Sequence, residues 1–374
     1  MTSWKIYKLG NICDYVTSRT TRIENYISTE NMLPNRGGVC APSNVPSGTA
    51  IEYKVGDILI SNIRPYFQKI WQADCNGACS ADVLCIRANN KADSKYLYYL
   101  LSQQLFFDYV MSGAKGCKMP RGDKKQIMQW QISLPSLEEQ RRIAGILSAI
   151  DDKIENNRRI NDNLEQQAQA LFDEWFVNDI AQTTEYNKVS LTDIANYLNG
   201  LAMQRFRPKD DEKGIPVLKI KELGQGSCDL TSDLCSPSID KKYIIEDGDI
   251  IFSWSGTLLV DVWCGGTCGL NQHLFKVTSE KYPKWFVYHW TKFHLAKFIR
   301  IAKDKAVTMG HIKRGDLETS EVLIPNAEIL SKMDNIIAPI FDAIISRRVE
   351  NKTLATLRDT LLPKLMSGEI KVSE

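Results

Sequence analysis

Two clusters of lysine and arginine are the residues of this chain whose type and spacing predict a chemistry most clearly. The first carries a local charge of +4 within residues 115–125 and contains Lys115, Lys118, Arg121, Lys124 and Lys125 beside one aspartate. The second, about 190 residues later, carries +4 within residues 300–314 and contains Arg300, Lys303, Lys305, Lys313 and Arg314, with His311 between them. Basic side chains in loops bind phosphates, and arginine also reads guanine in the major groove. One charged run is typical of a solvated surface; the recurrence of this one favours nucleic acid.

The charge of the whole chain gives no comparable signal. Among 374 residues, 47 Lys and Arg face 45 Asp and Glu, a net charge of +2. Any nucleic-acid surface must therefore be local. Two smaller basic groups follow the first predicted strand region of each half: Arg19 and Arg22, and Arg205 and Arg207.

Motifs for catalysis are missing from the sequence. The dipeptide Gly-Lys does not occur, so there is no P-loop, and no two prolines are adjacent, which excludes the Asn/Asp-Pro-Pro-aromatic loop of adenine methyltransferases. All four histidines (His273, His289, His294 and His311) lie in the second half without counterparts in the first. Cys-x-x-x-Cys motifs at 75–79 and 264–268 fit either a shared zinc site or buried thiols in a repeated turn. Their small intervening residues favour the turn, so we predict no metal site and no catalytic residue.

Composition excludes several classes of protein. With 43% hydrophobic and 25% charged residues, the chain is neither disordered nor fibrous. No apolar run reaches the 18 residues expected of a membrane span, and the first eight residues lack the apolar core of a secretory signal. Ten cysteines without such a signal are typical of reduced thiols, so we expect a cytoplasmic protein.

An internal repeat of about 190 residues organises the chain. Gly-Asp-Ile-Leu-Ile-Ser at 56–61 matches Gly-Asp-Ile-Ile-Phe-Ser at 248–253, and Leu-Pro at 134–135 matches Ile-Pro at 324–325. The first part of each copy is rich in β-branched and aromatic residues between turn signals, which predicts strands. Apolar spacing predicts one short helix at 94–110 and its counterpart at 284–301. Each first part is therefore predicted to be a mixed α/β domain.

The second part of each copy has the heptad spacing of a long helix. Apolar residues at intervals near 3.5, with a polar middle, predict two helices that pair with each other. The predicted pairing positions are Ile143, Leu147, Ile150, Ile154, Asn157, Asn161 and Leu164 in the first helix and Ile337, Ile340, Ile344, Asn351, Leu354 and Leu361 in the second. The predicted domains are residues 1–135, a central helix at 136–180, residues 181–325 and a C-terminal helix at 326–374. The fold class is α+β.

These features resemble the specificity (S) subunits of type I restriction–modification systems. The resemblance covers nearly the whole chain, and its most specific mark is Leu-Pro-Ser-Leu-Glu-Glu-Gln at 134–140, followed by Arg142 and Ile143. Other marks are Asn-Ile-Arg-Pro-Tyr at 62–66, Pro-Val-Leu-Lys-Ile at 216–220, Asn-Gln-His-Leu-Phe at 271–275 and Leu-Pro-Lys-Leu-Met-Ser-Gly at 362–368. The second copy departs from the pattern, because 324–330 lacks the Glu-Gln pair.

The resemblance implies two target-recognition domains joined by two long helices that pair as an antiparallel coiled coil. Each domain would read one half of a bipartite double-stranded DNA target, and the helices would set the spacing. The chain would bind no cofactor and would recruit two modification (methyltransferase) subunits that use S-adenosylmethionine, and restriction subunits that use ATP and Mg²⁺. The predicted DNA-contacting residues are Arg19, Arg22, Arg64, Lys115, Lys118, Arg121, Lys124, Arg205, Arg207, Lys303, Lys305, His311, Lys313 and Arg314. The alternative is a coiled-coil scaffold that binds only proteins.

Overall fold

The computed structural model describes residues 4–178, 186–304 and 310–372. The chain divides into unit 1, formed by Met1–Asp152 with Ala355–Glu374, and unit 2, formed by Lys153–Leu354. The predicted boundary at 180/181 and the predicted DNA-contacting Lys305 lie outside the described residues. None of the described helices combines the length and apolar character needed to cross a lipid bilayer.

Unit 1 is built on an antiparallel sheet whose central strand is buried along its whole length. Its strands and helices are β1 (Lys5–Lys8), β2 (Cys13–Tyr15), β3 (Arg19–Thr20), β4 (Ala50–Tyr53), β5 (Ile58–Ser61), β6 (Ile70–Gln72), β7 (Gly77–Cys79), β8 (Val83–Ala88), α1 (Ser94–Leu101), α2 (Gln104–Ser112), α3 (Lys124–Ile127), β9 (Gln131–Leu134) and the start of the helix α4 (Leu137–Phe176). The sheets have the orders β2-β8-β5-β6, β3-β4-β7 and β1-β9. The apolar run of β5 is buried at all four positions, as expected of an inner strand.

Unit 2 repeats this plan. Its elements are β10 (Asn187–Ser190), α5 (Leu191–Ile194), β11 (Asn196–Asn199), β12 (Ile215–Leu218), α6 (Ile220–Gln225), β13 (Leu234–Cys235), β14 (Ile244–Ile245), β15 (Ile250–Ser253), β16 (Leu259–Val262), β17 (Cys268–Leu270), β18 (Leu274–Thr278), α7 (Lys284–Phe293), α8 (Leu295–Asp304), α9 (Arg314–Glu318), β19 (Glu321–Ile324) and most of the helix α10 (Ala327–Met366). The sheet β11-β18-β15-β16 has the connectivity of β2-β8-β5-β6, and the pair β10-β19 repeats β1-β9. The predicted pair of mixed α/β domains is confirmed.

One difference from the sequence prediction is that each short helix is two helices. The helix expected at 94–110 is interrupted after Leu101, where the Ser102 hydroxyl donates to the carbonyl of Tyr98 at 2.7 Å. The helix expected at 284–301 is interrupted at His294, whose Nε2 lies 2.8 Å from the carbonyl oxygen of Glu321. The Ser102 contact is local, whereas the His294 contact reaches a strand 27 residues away; apolar spacing shows neither.

The two long helices share one kind of N-terminal cap and differ at the position of Gln140. At the start of α4, the buried Gln140 side chain accepts from the amide of Asp93 at 2.8 Å and donates to the carbonyls of Lys91 and Pro135 at 3.1 and 3.0 Å. Both helices also begin with the same cap: the Ser136 hydroxyl accepts from the amide of Glu139 at 3.2 Å, and the Asn326 side chain accepts from the amide of Ile329 at 2.9 Å. The two caps satisfy backbone amides at the helix starts. The contacts of Gln140 are additional, and the matching position in the second copy is the apolar Leu330.

The buried surface of the two helices is wider than a heptad seam. Predicted pairing residues Leu164, Ile340, Leu354 and Leu361 are only half-buried. Residues outside the predicted set are buried, among them Phe172, Phe176, Phe341, Leu362 and Met366. Each helix packs on a domain core as well as on the other helix, so a second row of side chains is covered. The remaining predicted pairing residues are buried, apart from the half-buried Asn351.

Polar contacts show that the helices run antiparallel. In unit 2, the Asn351 side-chain amide donates to the carbonyl of Ile154 and the Asn161 side-chain amide to the carbonyl of Ile344, both at 3.3 Å. In unit 1, the Arg358 guanidinium contacts Asp151 at 2.7 Å. Residues with higher numbers on α4 contact residues with lower numbers on α10. This order confirms the predicted antiparallel coiled coil.

Candidate nucleic-acid interface

The basic loop of unit 1, residues 115–125, is hydrogen-bonded to the segment that follows the central strand β5. The amide of Arg64 donates to the carbonyl of Pro120 at 2.8 Å, and the amide of Gly122 donates to the carbonyl of Asn62 at 3.3 Å. These bonds form an isolated antiparallel pairing of Ile63 with Arg121. We call residues 62–64 and 120–122 junction 1. The junction fixes the position of the basic loop relative to the sheet.

Unit 2 contains the same junction at the end of β15. The amide of Gly256 donates to the carbonyl of Gly310, and the amide of Ile312 donates to the carbonyl of Trp254, both at 3.1 Å. Ser255 thereby pairs with His311 in the antiparallel sense, as Ile63 pairs with Arg121. We call residues 254–256 and 310–312 junction 2. Two domains with different loop sequences therefore present their basic loops through one backbone arrangement.

Salt bridges shape the side chains of the basic loop in unit 1. Lys115 contacts Asp123 at 2.9 Å, and Arg121 contacts Asp82 at 3.2 Å. The hydrogen bond from Lys115, with backbone amides of Gln126 and Lys125, lowers the pKa of Asp123 to about 2. Lys118, which lies between Lys115 and Arg121 in the sequence, is exposed. The loop therefore contains two cations in salt bridges, Lys115 and Arg121, and one exposed cation, Lys118.

Arg64 adopts a backbone conformation that is unusual for its type. Its φ is 51°, in the left-handed region, whereas unit 2 has Gly256 at the matching position with φ 66°. A non-glycine residue there costs roughly 1 kcal/mol or more. Within the described residues, the buried Nε of Arg64 has no hydrogen-bond partner. Arg64 therefore combines an unfavourable backbone conformation with a donor that the described structure leaves unsatisfied.

Polar and aromatic side chains surround junction 2. The Oγ of Ser255 lies 2.9 Å from Nδ1 of His273, and the Trp254 ring is stacked on Phe275 with centroids 5.7 Å apart. The indole N–H of Trp254 donates to the side chain of Asn199 at 2.9 Å. A cleft of about 480 Å³ opens beside these residues. Its lining includes Asn199, Trp254, Phe275 and Arg314.

The two cations that follow junction 2 lie at the start of a short helix. The backbone amide of Lys313 donates to the Asp316 carboxylate at 2.7 Å, which fixes the start of α9. Arg314, the first residue of α9, is 3.8 Å from Glu318, and its side chain is 78% exposed. Both cations face solvent close to junction 2.

The remaining predicted DNA-contacting residues are exposed but lie outside the junctions. Arg19 on β3 contacts Thr49 at 3.3 Å, and the Arg22 side chain, 81% exposed, contacts Glu24 at 2.9 Å. The ammonium of Lys124 lies 6.0 Å from the ring centre of Tyr15. The other exposed members of this group are Arg205, Arg207 and Lys303. The structure thus brings together Arg64 and Arg121 in unit 1, and His311 with Lys313 and Arg314 in unit 2.

Sequence reasoning missed several residues that line these junctions. Asp82, Ser255, Trp254 and His273 are polar or aromatic side chains that the loops alone did not indicate. His273 lies in Asn-Gln-His-Leu-Phe at 271–275, and this family motif was the sequence signal that could have indicated it. The cysteine pairs are separate from the junctions: Cys79 and Cys268 are buried in strands β7 and β17. In the described ranges, no three His, Cys, Asp or Glu side chains are grouped as metal ligands.

Comparison with known proteins places these features in a family. The type I restriction modification DNA specificity domain matches twice, at residues 1–166 and 183–358. The MjaIX specificity subunit of a type I restriction enzyme from Methanocaldococcus jannaschii is 30% identical over 305 residues, covering 75% of this chain and 70% of that protein. The HindI specificity subunit from Haemophilus influenzae is 22% identical over 459 aligned positions, covering 99% of this chain and 100% of that protein.

A solved structure shows the same fold. The type I restriction–modification S subunit from M. genitalium has a TM-score of 0.56 at 16% identity, covering 97% of this chain and 96% of that one. A chain that the DNA specificity domain matches twice is a DNA specificity protein. The chain belongs to the specificity subunits of type I restriction–modification systems and carries two DNA-recognition domains.

Proposed function

We propose that each unit reads one half of a bipartite double-stranded DNA target and that the paired helices set the spacing between the two halves. The observation that carries this proposal is the recurrence of the junction, with cations at or next to it in both units. Arg64 and Arg121 belong to the first, and Lys313 and Arg314 follow the second. Since the loops differ in sequence but share a backbone frame, they are suited to reading two different half-sites.

The proposed role includes no catalysis by this chain. The sequence has no P-loop and no Asn/Asp-Pro-Pro-aromatic loop. Both absences support the proposal that other subunits carry out ATP hydrolysis and adenine methylation. Two modification subunits would bind S-adenosylmethionine and methylate adenine, and restriction subunits would use ATP and Mg²⁺. This chain would hold no cofactor itself.

We also propose that the complex works in the cytoplasm, where it would meet foreign DNA. All ten cysteines are free thiols in the structure, which is typical of a reducing compartment. Fractionation of cells that express a tagged full-length chain would locate it, and recovery from a membrane or secreted fraction would contradict this part of the proposal.

A gel-shift titration separates this function from that of a scaffold that binds only proteins. The full chain, purified with its modification subunit, is titrated against a duplex carrying its target at several salt concentrations. Phosphate contacts release counterions, so the logarithm of affinity should fall linearly with the logarithm of salt. A duplex with scrambled half-sites should bind at least roughly a thousandfold more weakly. Equal affinity for both duplexes, or binding by the modification subunit alone, would support the scaffold.

A further inference from the structure

Junctions 1 and 2 share one backbone arrangement but carry different side chains at each matching position. Residue 63 pairs with 121 in junction 1, as residue 255 pairs with 311 in junction 2. Arg121 therefore corresponds to His311, and Arg64 corresponds to Gly256. A third match follows from the neighbouring strand. The amide of Asn62 donates to the carbonyl of Asp82 at 2.9 Å, and the amide of Trp254 donates to the carbonyl of His273 at 3.4 Å. Asp82 thus corresponds to His273.

We propose that the junctions are the base-reading parts of the two domains, with Arg64 and Arg121 making the half-site of unit 1 depend on guanine and His273 and His311 specifying the half-site of unit 2. The inference rests on the proposed function and deepens it. It separates residues that determine sequence from the surrounding cations, which contact phosphates. It also assigns the difference between the two half-sites to a few matched positions in one backbone frame.

Arg64 supports this assignment through its backbone. Unit 2 shows that glycine fits the same left-handed turn, so the turn does not require an arginine. Keeping an arginine there gives junction 1 a second cationic residue besides Arg121, on the segment whose amide donates to the carbonyl of Pro120. Its Nε is buried and has no hydrogen-bond partner in the described structure, so no hydrogen bond from that nitrogen ties the side chain to the protein.

Arg121 is held in a way that suits guanine. Its Nη1 contacts Asp82 at 3.2 Å, while 56% of the side chain remains exposed. A carboxylate on one nitrogen limits the rotation of the planar group, and the other nitrogens remain as donors. Guanine presents two acceptors, O6 and N7, in the major groove, and arginine is the side chain that most often binds both. The pair of Arg121 and Asp82 is therefore arranged for base recognition, whereas phosphate binding needs no such orientation.

His273 gives unit 2 a different reading group. Its Nδ1 is engaged by the Ser255 hydroxyl at 2.9 Å, so the ring can offer Nε2 as one donor or one acceptor. A histidine held in this way has no two-donor fork, and the matching Gly256 supplies no side chain. Unit 2 should therefore specify its bases through single hydrogen bonds from His273 and His311.

The test exchanges side chains between matched positions and reads the target by genome-wide mapping of adenine methylation. Cells express the full chain, or the variant Arg64→Gly with Arg121→His, together with the modification subunit. The variant should lose the guanine requirement in one half-site while the other half-site stays the same. Arg121→Lys should have a smaller form of the same effect, because it keeps the charge but loses the planar fork. Lys118→Ala is the matched control and should lower methylation at all sites without changing the sequence.

The outcomes distinguish this inference from the proposed function. If the wild-type chain directs no sequence-specific methylation, the proposed function itself is wrong. If the wild type is specific and the exchanged variant methylates the same sequence at lower efficiency, the junction arginines contact only phosphates and the inference is overturned. Thermal unfolding of the purified variants checks folding, and Arg64→Gly is compatible with the turn because unit 2 carries glycine there. A change in both half-sites would also contradict the assignment, since each junction should act on its own half.

Discussion

The side-chain amide of Asn157 on α4 donates to the side-chain oxygen of Asn351 on α10 at 2.8 Å, in the polar middle of the helix pair of unit 2. Asn157 is fully buried and also donates to Glu350 at 2.7 Å. Buried polar pairs in coiled coils fix register at some cost in stability. Since only one alignment of α4 and α10 satisfies both asparagines, this contact selects the antiparallel register that the structure shows.

Replacing one of the two asparagines should destabilise the chain more than replacing both. Asn157→Leu leaves Asn351 without its donor and should lower the free energy of unfolding by about 1–3 kcal/mol. Asn157→Leu with Asn351→Leu should recover most of that loss, because an apolar pair replaces both groups. Urea unfolding of the full-length single and double variants measures the coupling. A double variant that loses the sum of both single losses would show that the asparagines do not act as a pair.

Removing cations next to the junctions should reduce the salt dependence of DNA binding. Lys118→Ala with Arg121→Ala should weaken binding through the first half-site, and Lys313→Ala with Arg314→Ala through the second. Two lost phosphate contacts change the slope of log affinity against log salt by about two units. If Arg121 reads a base, the first pair should change the slope less and the target sequence more. Unchanged affinity and slope in both variants would mean that these loops are only solvated.

The stability of unit 2 should depend on pH through His289. Burial lowers the pKa of this histidine to about 4, against 6.5 in an unfolded chain, and its Nδ1 lies 2.7 Å from the carbonyl oxygen of Trp285. The unfolded state takes up a proton as pH falls from 6.5 to 4 and the folded state does not. Stability is therefore complete above pH 6.5 and falls towards pH 4, by about 3 kcal/mol from this residue.

The variant His289→Gln isolates that contribution, because glutamine keeps an amide donor but does not titrate in this range. Urea unfolding followed by tryptophan fluorescence at pH 7 and pH 4.5 should show a smaller pH effect in the variant than in the wild type. Other groups, including His294 with its pKa lowered by burial, remain common to both proteins. Equal pH dependence in the two would show that folding does not lower the pKa of His289.

The helix pair should act as a spacer whose length can be changed. Asn157 lies beside Asn351, so insertion points after Asp152 and after Leu354 are at nearly equal heights on the two helices. Seven residues added at both points preserve the facing sides and lengthen each helix by about 10 Å. That equals roughly three base pairs at about 3.4 Å each. Methylation mapping should find the same half-sites moved apart; methylation only at the original spacing would show that another element sets the distance.

The repeat, the domain class and the pairing of the two helices were predictable because they depend on patterns that extend over many residues. The antiparallel direction was implied by the family resemblance. The turn before β5 and the turn before β15 share Gly-Asp followed by apolar residues, and both lead to buried strands. Burial on the helices was less predictable. Phe172 is buried and Leu164 only half-buried because a helix that contacts both a partner helix and a domain core covers more than a heptad seam.

The candidate site was predictable only as a pair of loops. Charge located the segments around Arg121 and Lys313, but charge does not show which loop residue pairs with which strand. His273 and Ser255 are eighteen residues apart, and only the sheet brings the imidazole and the hydroxyl together. The left-handed backbone of Arg64 has no sequence signal either, since arginine is not a residue expected there.

The central claim is that this chain gives a type I complex a bipartite target, one half for each unit. The most direct measurement is a genome-wide map of adenine methylation in cells that express the full chain with its modification subunit, compared with cells that express the modification subunit alone. Our account predicts one motif in which two specified segments flank a stretch of unspecified base pairs, and no such motif without the chain. A single contiguous motif, or the same methylation in the absence of this chain, would contradict it.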